Sequence, residues 1–242
     1  MKNTLYVLIC LFFSNLLIAQ EEGKYDDLVI LYADAKYEKV IATAEKYTQK
    51  EDNKKDAEPY MWMAKAFYKI SLSGTIPEGF QNSYKSASKS LAKSFKLDKD
   101  STCFEKNDDF IYEFQASIEE RLLNDLSVEE YKKVSGWAQQ YSKVTYYSVG
   151  ADLLVASVKF RSGDKTGAKT LLAKCDQQID LIDNLAHWSD SDVSIFKQGV
   201  IQAAECYVAA RQLEKAQALL DKVKVWYLDD EEFNLRLNEI LN

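Results

Sequence analysis

Gly163-Asp164-Lys165-Thr166-Gly167-Ala168 and Arg211-Gln212-Leu213-Glu214-Lys215-Ala216 align without a gap, and the alignment extends well beyond these six positions. Four residues after each alanine stands Leu172 or Leu220, and three further on Cys175 or Val223. Twelve residues before each alanine stands a second small residue, Ala156 or Ala204. Spacings of three and four put side chains on one face of a helix. Each copy therefore reads as helix A, a short polar turn and helix B. No such hairpin buries its apolar face alone, so neighbours must stack.

The rest of the chain follows the same period. Val40, Ile41, Ala44 and Tyr47 make one face, and so do Ala87, Leu91, Ser94 and Phe95. Proline occurs only twice and glycine eight times, too little turn punctuation for a strand-rich fold. Asp56 stands before a helix with Pro59 in its first turn, where a missing N–H is harmless. Asp108 and Asp109, and Asp229 and Asp230, stand at two further helix starts, where the helix dipole favours acids. Ser127-Val128-Glu129-Glu130 spells a capping box ahead of a helix over 131–141. Polar joints are expected at 50–55, 74–79, 98–106 and 189–192.

This pattern resembles the tetratricopeptide family, in which a small residue on helix A faces a small–bulky–small series on helix B. Residues 57–99 carry it through Tyr60, Met63, Ala64 and Phe67, then Tyr84, Ala87, Leu91 and Ser94. That copy departs by an enlarged turn holding Gly74, Pro77 and Gly79, and by Asp98-Lys99 where the family has Asp-Pro. The first hairpin, with Leu31, Tyr32 and Lys36 to Ala44, is looser, and 107–143 matches only through Tyr131, Val134 and Ala138. The resemblance implies an all-α, right-handed α-solenoid of about five helical hairpins. Phe233, Leu237, Ile240 and Leu241 make the single apolar stripe of a C-terminal capping helix. A generic helical bundle is the alternative.

The ends differ in character. Lys2 precedes an almost wholly apolar run from Leu5 to Ile18, and Ala19 is a small residue at its exit. This reads as a signal peptide over residues 1–19, leaving 20–242 as one helical repeat domain, exported to the periplasm or the extracellular space. The run is shorter than the roughly 20 residues of a spanning helix. An uncleaved anchor is the other reading. Cys10 follows Ile9 inside the run and fits a lipid-modified cysteine poorly. No transmembrane segment is expected after signal removal. A net charge of −7 and a pI near 5.0 argue against a nucleic-acid partner, which needs clustered Lys and Arg. Cys103, Cys175 and Cys206 are too few for a disulfide framework. Cys175 and Cys206 fall on helices expected to be neighbours, so they are either a clip or buried thiols.

Candidate chemistry is sparse, and the expectation is a binding scaffold rather than an enzyme, with no cofactor and no metal. His187 is the only histidine. The acids at 98, 100, 105, 108 and 109 fail the calcium-loop spelling, because Cys103 stands where its sixth-position glycine would be. In the family, helix A residues line a concave groove, which places Met61, Lys65, Tyr68, Lys69, Leu153, Phe160, Arg161, Ile201 and Glu205 there. Such a surface suits an extended peptide or a helix. The carboxylate-holding Lys and Asn of some members have no counterpart between Asp26 and Asp34. Lys85, Lys89, Lys93 and Lys96 form a basic stripe, either a solvated face or a contact for an acidic partner or anionic lipid. The expected role is an adaptor of the cell envelope with a protein or peptide partner. The alternatives are an oligomer-forming structural subunit and, third, an envelope enzyme or ligand carrier.

Overall fold

A computed structural model of the chain describes residues 23–242, so the expectations for 1–19 and Cys10 lie outside the described residues. The described residues form helices and connections, with no strand among them. In chain order the helices are α1 (Asp26–Ala33), α2 (Tyr37–Gln49), α3 (Glu58–Ser71), α4 (Ser83–Leu97), α5 (Thr102–Glu105) and α6 (Asp108–Ser127). They continue with α7 (Tyr131–Tyr141), α8 (Val149–Arg161), α9 (Lys165–Ile179), α10 (Asp190–Ala209), α11 (Leu213–Val223), a 3-10 turn (Lys224–Trp226) and α12 (Glu231–Leu241). Chain neighbours pack together in each of the pairs α1–α2, α3–α4, α6–α7, α8–α9 and α10–α11. Between pairs, α2 packs on α3, α7 on α8, and α8 on α10.

Four of the five hairpin turns share one conformation. Ala35, Glu129, Gly163 and Arg211 all have positive φ, and helix B begins two residues after each. In three of them the next N–H reaches back five residues: Lys36 to Leu31 O, Glu130 to Asp125 O and Gln212 to Tyr207 O. This left-handed closure satisfies carbonyls that the end of helix A would otherwise leave free. Counting five, nine and twelve residues on from the positive-φ residue gives Val40, Ala44 and Tyr47 in α2. It gives Val134, Ala138 and Tyr141 in α7, Ala168, Leu172 and Cys175 in α9, and Ala216, Leu220 and Val223 in α11. All but Tyr47 are buried. The segment that matched faintly in sequence, α6–α7, thus keeps the same register as the rest.

Two sequence expectations are corrected. The stretch 189–192 is no joint: Ser189 caps α10 and Asp192 lies in its first turn, the two forming a reciprocal capping box. The connection is 180–189 instead. Nor does a capping box form at 127–130. Ser127 ends α6, its hydroxyl donates to Asn124 O at 2.8 Å, and α7 starts without a side-chain cap. Leu122, Leu123 and Leu126 go on packing against the core, which carries α6 past the expected stop.

The core runs along the chain in three linked parts. The first gathers Leu28, Val40, Ala44, Ala66 and Ile70. The second holds Met61, Tyr68, Leu91, Phe114, Ile118 and Leu154, and the third Leu153, Leu172, Phe196, Val200, Leu220 and Phe233. Helices α3 and α8 are shared walls, because each gives one face to each of two adjoining parts. A helix buried on both sides must be apolar all round, and Val149-Gly-Ala-Asp-Leu-Leu-Val-Ala-Ser157 has one exposable acid in nine residues.

The tightest contact is backbone on backbone. A Cβ added at Gly150 of α8 would stand 2.5 Å from Phe196 Cα, and one at Gly199 of α10 would stand 2.4 Å from Gly150 O. Only glycine at both positions lets these helices approach so closely. Beside this crossing lies a buried polar junction. Asp192 Oδ1 accepts from the Tyr141 hydroxyl at 2.8 Å and the Thr145 hydroxyl at 2.6 Å. Its Oδ2 accepts from the Ser189 hydroxyl at 2.8 Å. Gln115 of α6 donates to Val144 O at 2.7 Å, and its Oε1 lies 2.9 Å from the Ser189 hydroxyl, sharing that group's single proton with Asp192. Helices α6, α7 and α10 are thereby pinned by groups most of which, Gln115, Tyr141, Thr145 and Asp192, are buried away from water. Burial pushes the Asp192 carboxyl above the usual carboxylate range, and the three hydroxyl donors only partly offset it.

These contacts have measurable consequences. Gly150→Ala should destabilise the fold by about 1–3 kcal/mol through overpacking. Gly136→Ala, at an open helical position, should stabilise it by about 0.5–1 kcal/mol. Urea titrations of both variants check the opposite signs. Asp192→Ala should cost roughly 1–3 kcal/mol for each buried hydroxyl it strands at Tyr141 and Thr145. The folded state also holds the Asp192 proton more tightly than the unfolded chain does. This group alone therefore adds stability as pH falls through its raised pKa toward about 4. The difference between wild type and Asp192→Ala, followed by melting from pH 7 to 4, should widen accordingly.

Candidate protein-binding site

A cleft of about 520 Å³ lies where α9, α10 and α11 meet the end of α8. Small side chains make it: Ala168, Ala173 and Ala210 are too small to fill the space between the helices, and Phe160, Leu172 and Tyr207 supply an apolar floor. A smaller hollow of about 190 Å³ continues it, sharing Leu172, Asp176, Tyr207 and Lys215. Lys165, Lys169 and Lys215 stand on the rim. None of the three makes an ion pair among the described residues, whereas Asp176, the acid in the lining, is matched by Lys222 at 2.9 Å. The Lys165 and Lys215 ammonium groups lie 5.9 Å from the Phe160 and Tyr207 ring centres. The result is an apolar floor under a positive rim.

Cys206 stands in the wall of this cleft, and its sulfur donates toward Ser157 O at 3.7 Å. Burial pushes the thiol above its ordinary range, so it stays protonated and is a poor nucleophile. Burial raises the Cys103 thiol to about 11 and the Cys175 thiol to about 12 for the same reason. The three cysteines among the described residues are free and buried, so Cys175 and Cys206 form no clip.

The residues expected to line a helix A groove divide three ways. Met61, Tyr68, Leu153 and Ile201 are corrected to core positions, each no more than 4% exposed. Their helices are packed on both sides, so the face that would have looked onto a groove meets another helix instead: Tyr68 stands edge-on to Phe114 at 5.2 Å. Lys65, Lys69, Arg161 and Glu205 join successive helices. The Lys65 ammonium lies over the Trp62 and Phe110 rings at 4.7 and 5.8 Å, and burial lowers its pKa. Lys69 pairs with Glu113 at 3.3 Å. Arg161 covers the Tyr131 ring at 4.7 Å and pairs with Glu205 at 2.7 Å, while Arg236 of α12 closes on the same carboxylate. Phe160 reaches the cleft, and Leu153 touches the smaller hollow that continues it. The signal that could have found the rest was the Lys165–Lys169 pair four residues apart on the outward face of α9.

The other candidates are placed as follows. His187 is exposed in the 180–189 connection. Asp98 accepts from the Cys103 and Phe104 amides at 3.1 and 2.8 Å, holding the start of α5. Among the described residues no three potential metal-ligating side chains cluster, and no helix is long and apolar enough to cross a membrane.

Glu205→Gln should lower stability by about 1 kcal/mol, since the carboxylate serves two arginines. The cost should shrink in 1 M salt, where ion pairs are screened. Parallel melts at low and high salt check this. Comparison with family models, with curated proteins and with solved structures finds no match to this chain.

Proposed function

We propose that this protein is a non-enzymatic scaffold that recognises a segment of another protein in the α9–α10–α11 cleft. The observation that carries the reading is three lysines without ion pairs lining one cleft with Phe160, Leu172 and Tyr207. The floor suits one apolar anchor, and the rim suits Asp or Glu beside it. The common turn and register of four hairpins support a tetratricopeptide-like α-solenoid, with α12 as its cap. The apolar run at 5–18 supports export, and with it an adaptor role at the cell envelope.

One observation favours a second reading, a structural subunit that self-associates through its C-terminal end. Val225, Leu228 and Leu235 are 59%, 65% and 59% exposed there, side chains that a second copy would cover.

Selection of displayed random peptides on the purified protein tests the first reading. It should enrich an aromatic or aliphatic residue flanked by acids. Affinity should fall about tenfold or more for Phe160→Ala and for Lys169→Glu, and stay unchanged for Lys85→Glu. Peptides that bind equally well to all three variants would sink the cleft as the site. Concentration-dependent dimerisation abolished by Leu235→Glu would favour the second reading.

A further inference from the structure

We propose that the outer face of α4, with the aromatic patch beside it, is a docking surface for an anionic lipid bilayer. It lies on helices other than those that form the α9–α10–α11 cleft and does not rest on the peptide-binding reading. Lys85, Lys89, Lys93 and Lys96 recur at four, four and three residues, which keeps them on one arc of the helix. All four are exposed, and none makes an ion pair among the described residues. In a chain of net charge −7 this row is a local concentration of the opposite sign.

The stripe ends on exposed aromatic surface. Phe95, Phe104 and Tyr146 form a triangle with ring centres 5.0 to 5.7 Å apart, and Tyr146 is 47% exposed. Tyr112, 39% exposed, stands 6.1 Å from Phe104. Lys143 joins Lys93 and Lys96 around a shallow, almost wholly apolar depression floored by Ala92 and Phe95. Four acids lie near the patch, one of them the buried Asp192 beside Tyr112. Asp98 and Glu105 lie near Tyr146, and Asp108 near Tyr112. Both oxygens of Asp98 are engaged by backbone amides.

The shape and chemistry favour a bilayer over a peptide. A peptide wants walls and hydrogen-bonding groups for its backbone, which this shallow apolar surface lacks. A bilayer wants tyrosine rings at headgroup depth and lysine stems that lie along the surface with their charges among phosphates. Each lysine held near such a surface strengthens binding by roughly fivefold.

The test is co-sedimentation of the full chain with vesicles of phosphatidylcholine alone and of phosphatidylcholine with 30% phosphatidylglycerol. Binding is expected only to the anionic vesicles and should weaken steeply with salt. The quadruple variant Lys85→Gln, Lys89→Gln, Lys93→Gln, Lys96→Gln should lose on the order of a hundredfold or more in partitioning. Its circular dichroism should be unchanged, because glutamine has much the same helix propensity as lysine. Tyr146→Ser should lose about fivefold, and a triple Lys→Gln variant at 165, 169 and 215 should lose nothing. Three results would each overturn the proposal. They are no preference for anionic vesicles, binding that survives the quadruple change (as it would if residues 1–22 carried it), and equal loss in the triple variant. Capture of soluble polyglutamate as tightly as vesicles, indifferent to Tyr146→Ser, would assign an acidic protein instead.

Discussion

At Gly150 and Gly199 two helices meet with no side chain between them, and the C-terminal half of the molecule is arranged around that meeting. With a Cβ at either position α8 and α10 would have to separate, and close-packed interiors do not absorb such a shift locally. Because α8 is also the wall between the second and third parts of the core, its distance from α10 sets where both parts lie. The Asp192 junction fixes the same joint by a different force. Packing brings the backbones together, and the buried carboxylate then holds α10 in register against α7 and the turn after it by pairing with Tyr141 and Thr145 at once, while Gln115 of α6 meets Ser189 at the start of α10.

These constraints decide which surfaces remain free for partners. The inner helices α3, α8 and α10 are used up by stacking, and their polar side chains go to ties between neighbours. Glu205 between Arg161 and Arg236 fastens α12 to α8 and α10, and Lys65 on Trp62 and Phe110 joins α3 to α6. Among the lysines left without an ion pair are Lys85, Lys89, Lys93 and Lys96 on α4, Lys165 and Lys169 on α9 and Lys215 on α11, with apolar surface beside them. A cation already in an ion pair has little to gain from a ligand, whereas an unpaired one beside aromatic surface has both charge and area to offer.

Much of the helical layout was legible residue by residue. Ala168, Leu172 and Cys175 against Ala216, Leu220 and Val223 identified two hairpins, and the structure places both sets in the core. The α6–α7 hairpin was nearly hidden, because Val134, Ala138 and Tyr141 share a spacing with the other copies but little residue identity. What it shares with them is the backbone at Glu129, whose positive φ the side chain does not advertise. The capping assignments erred where local spelling competed with burial. Ser127 had the right letters but stayed helical under the packing of Leu126, while Ser189, read as part of a joint, caps α10 with Asp192.

The sequence by itself determined that the described chain is helical, where most helices lie, and which face of each is apolar, because period and turn chemistry are local properties. It also held the two lysine rows in plain view, on α4 and α9. Only the tertiary structure decided which apolar faces are covered once and which twice. That depends on which helices are neighbours, a relation between residues as far apart as Gly150 and Gly199. For this reason Met61, Tyr68, Leu153 and Ile201 belong to the core and Phe160 to a cleft, although on their helices all five fall on faces that look equally suited to a groove.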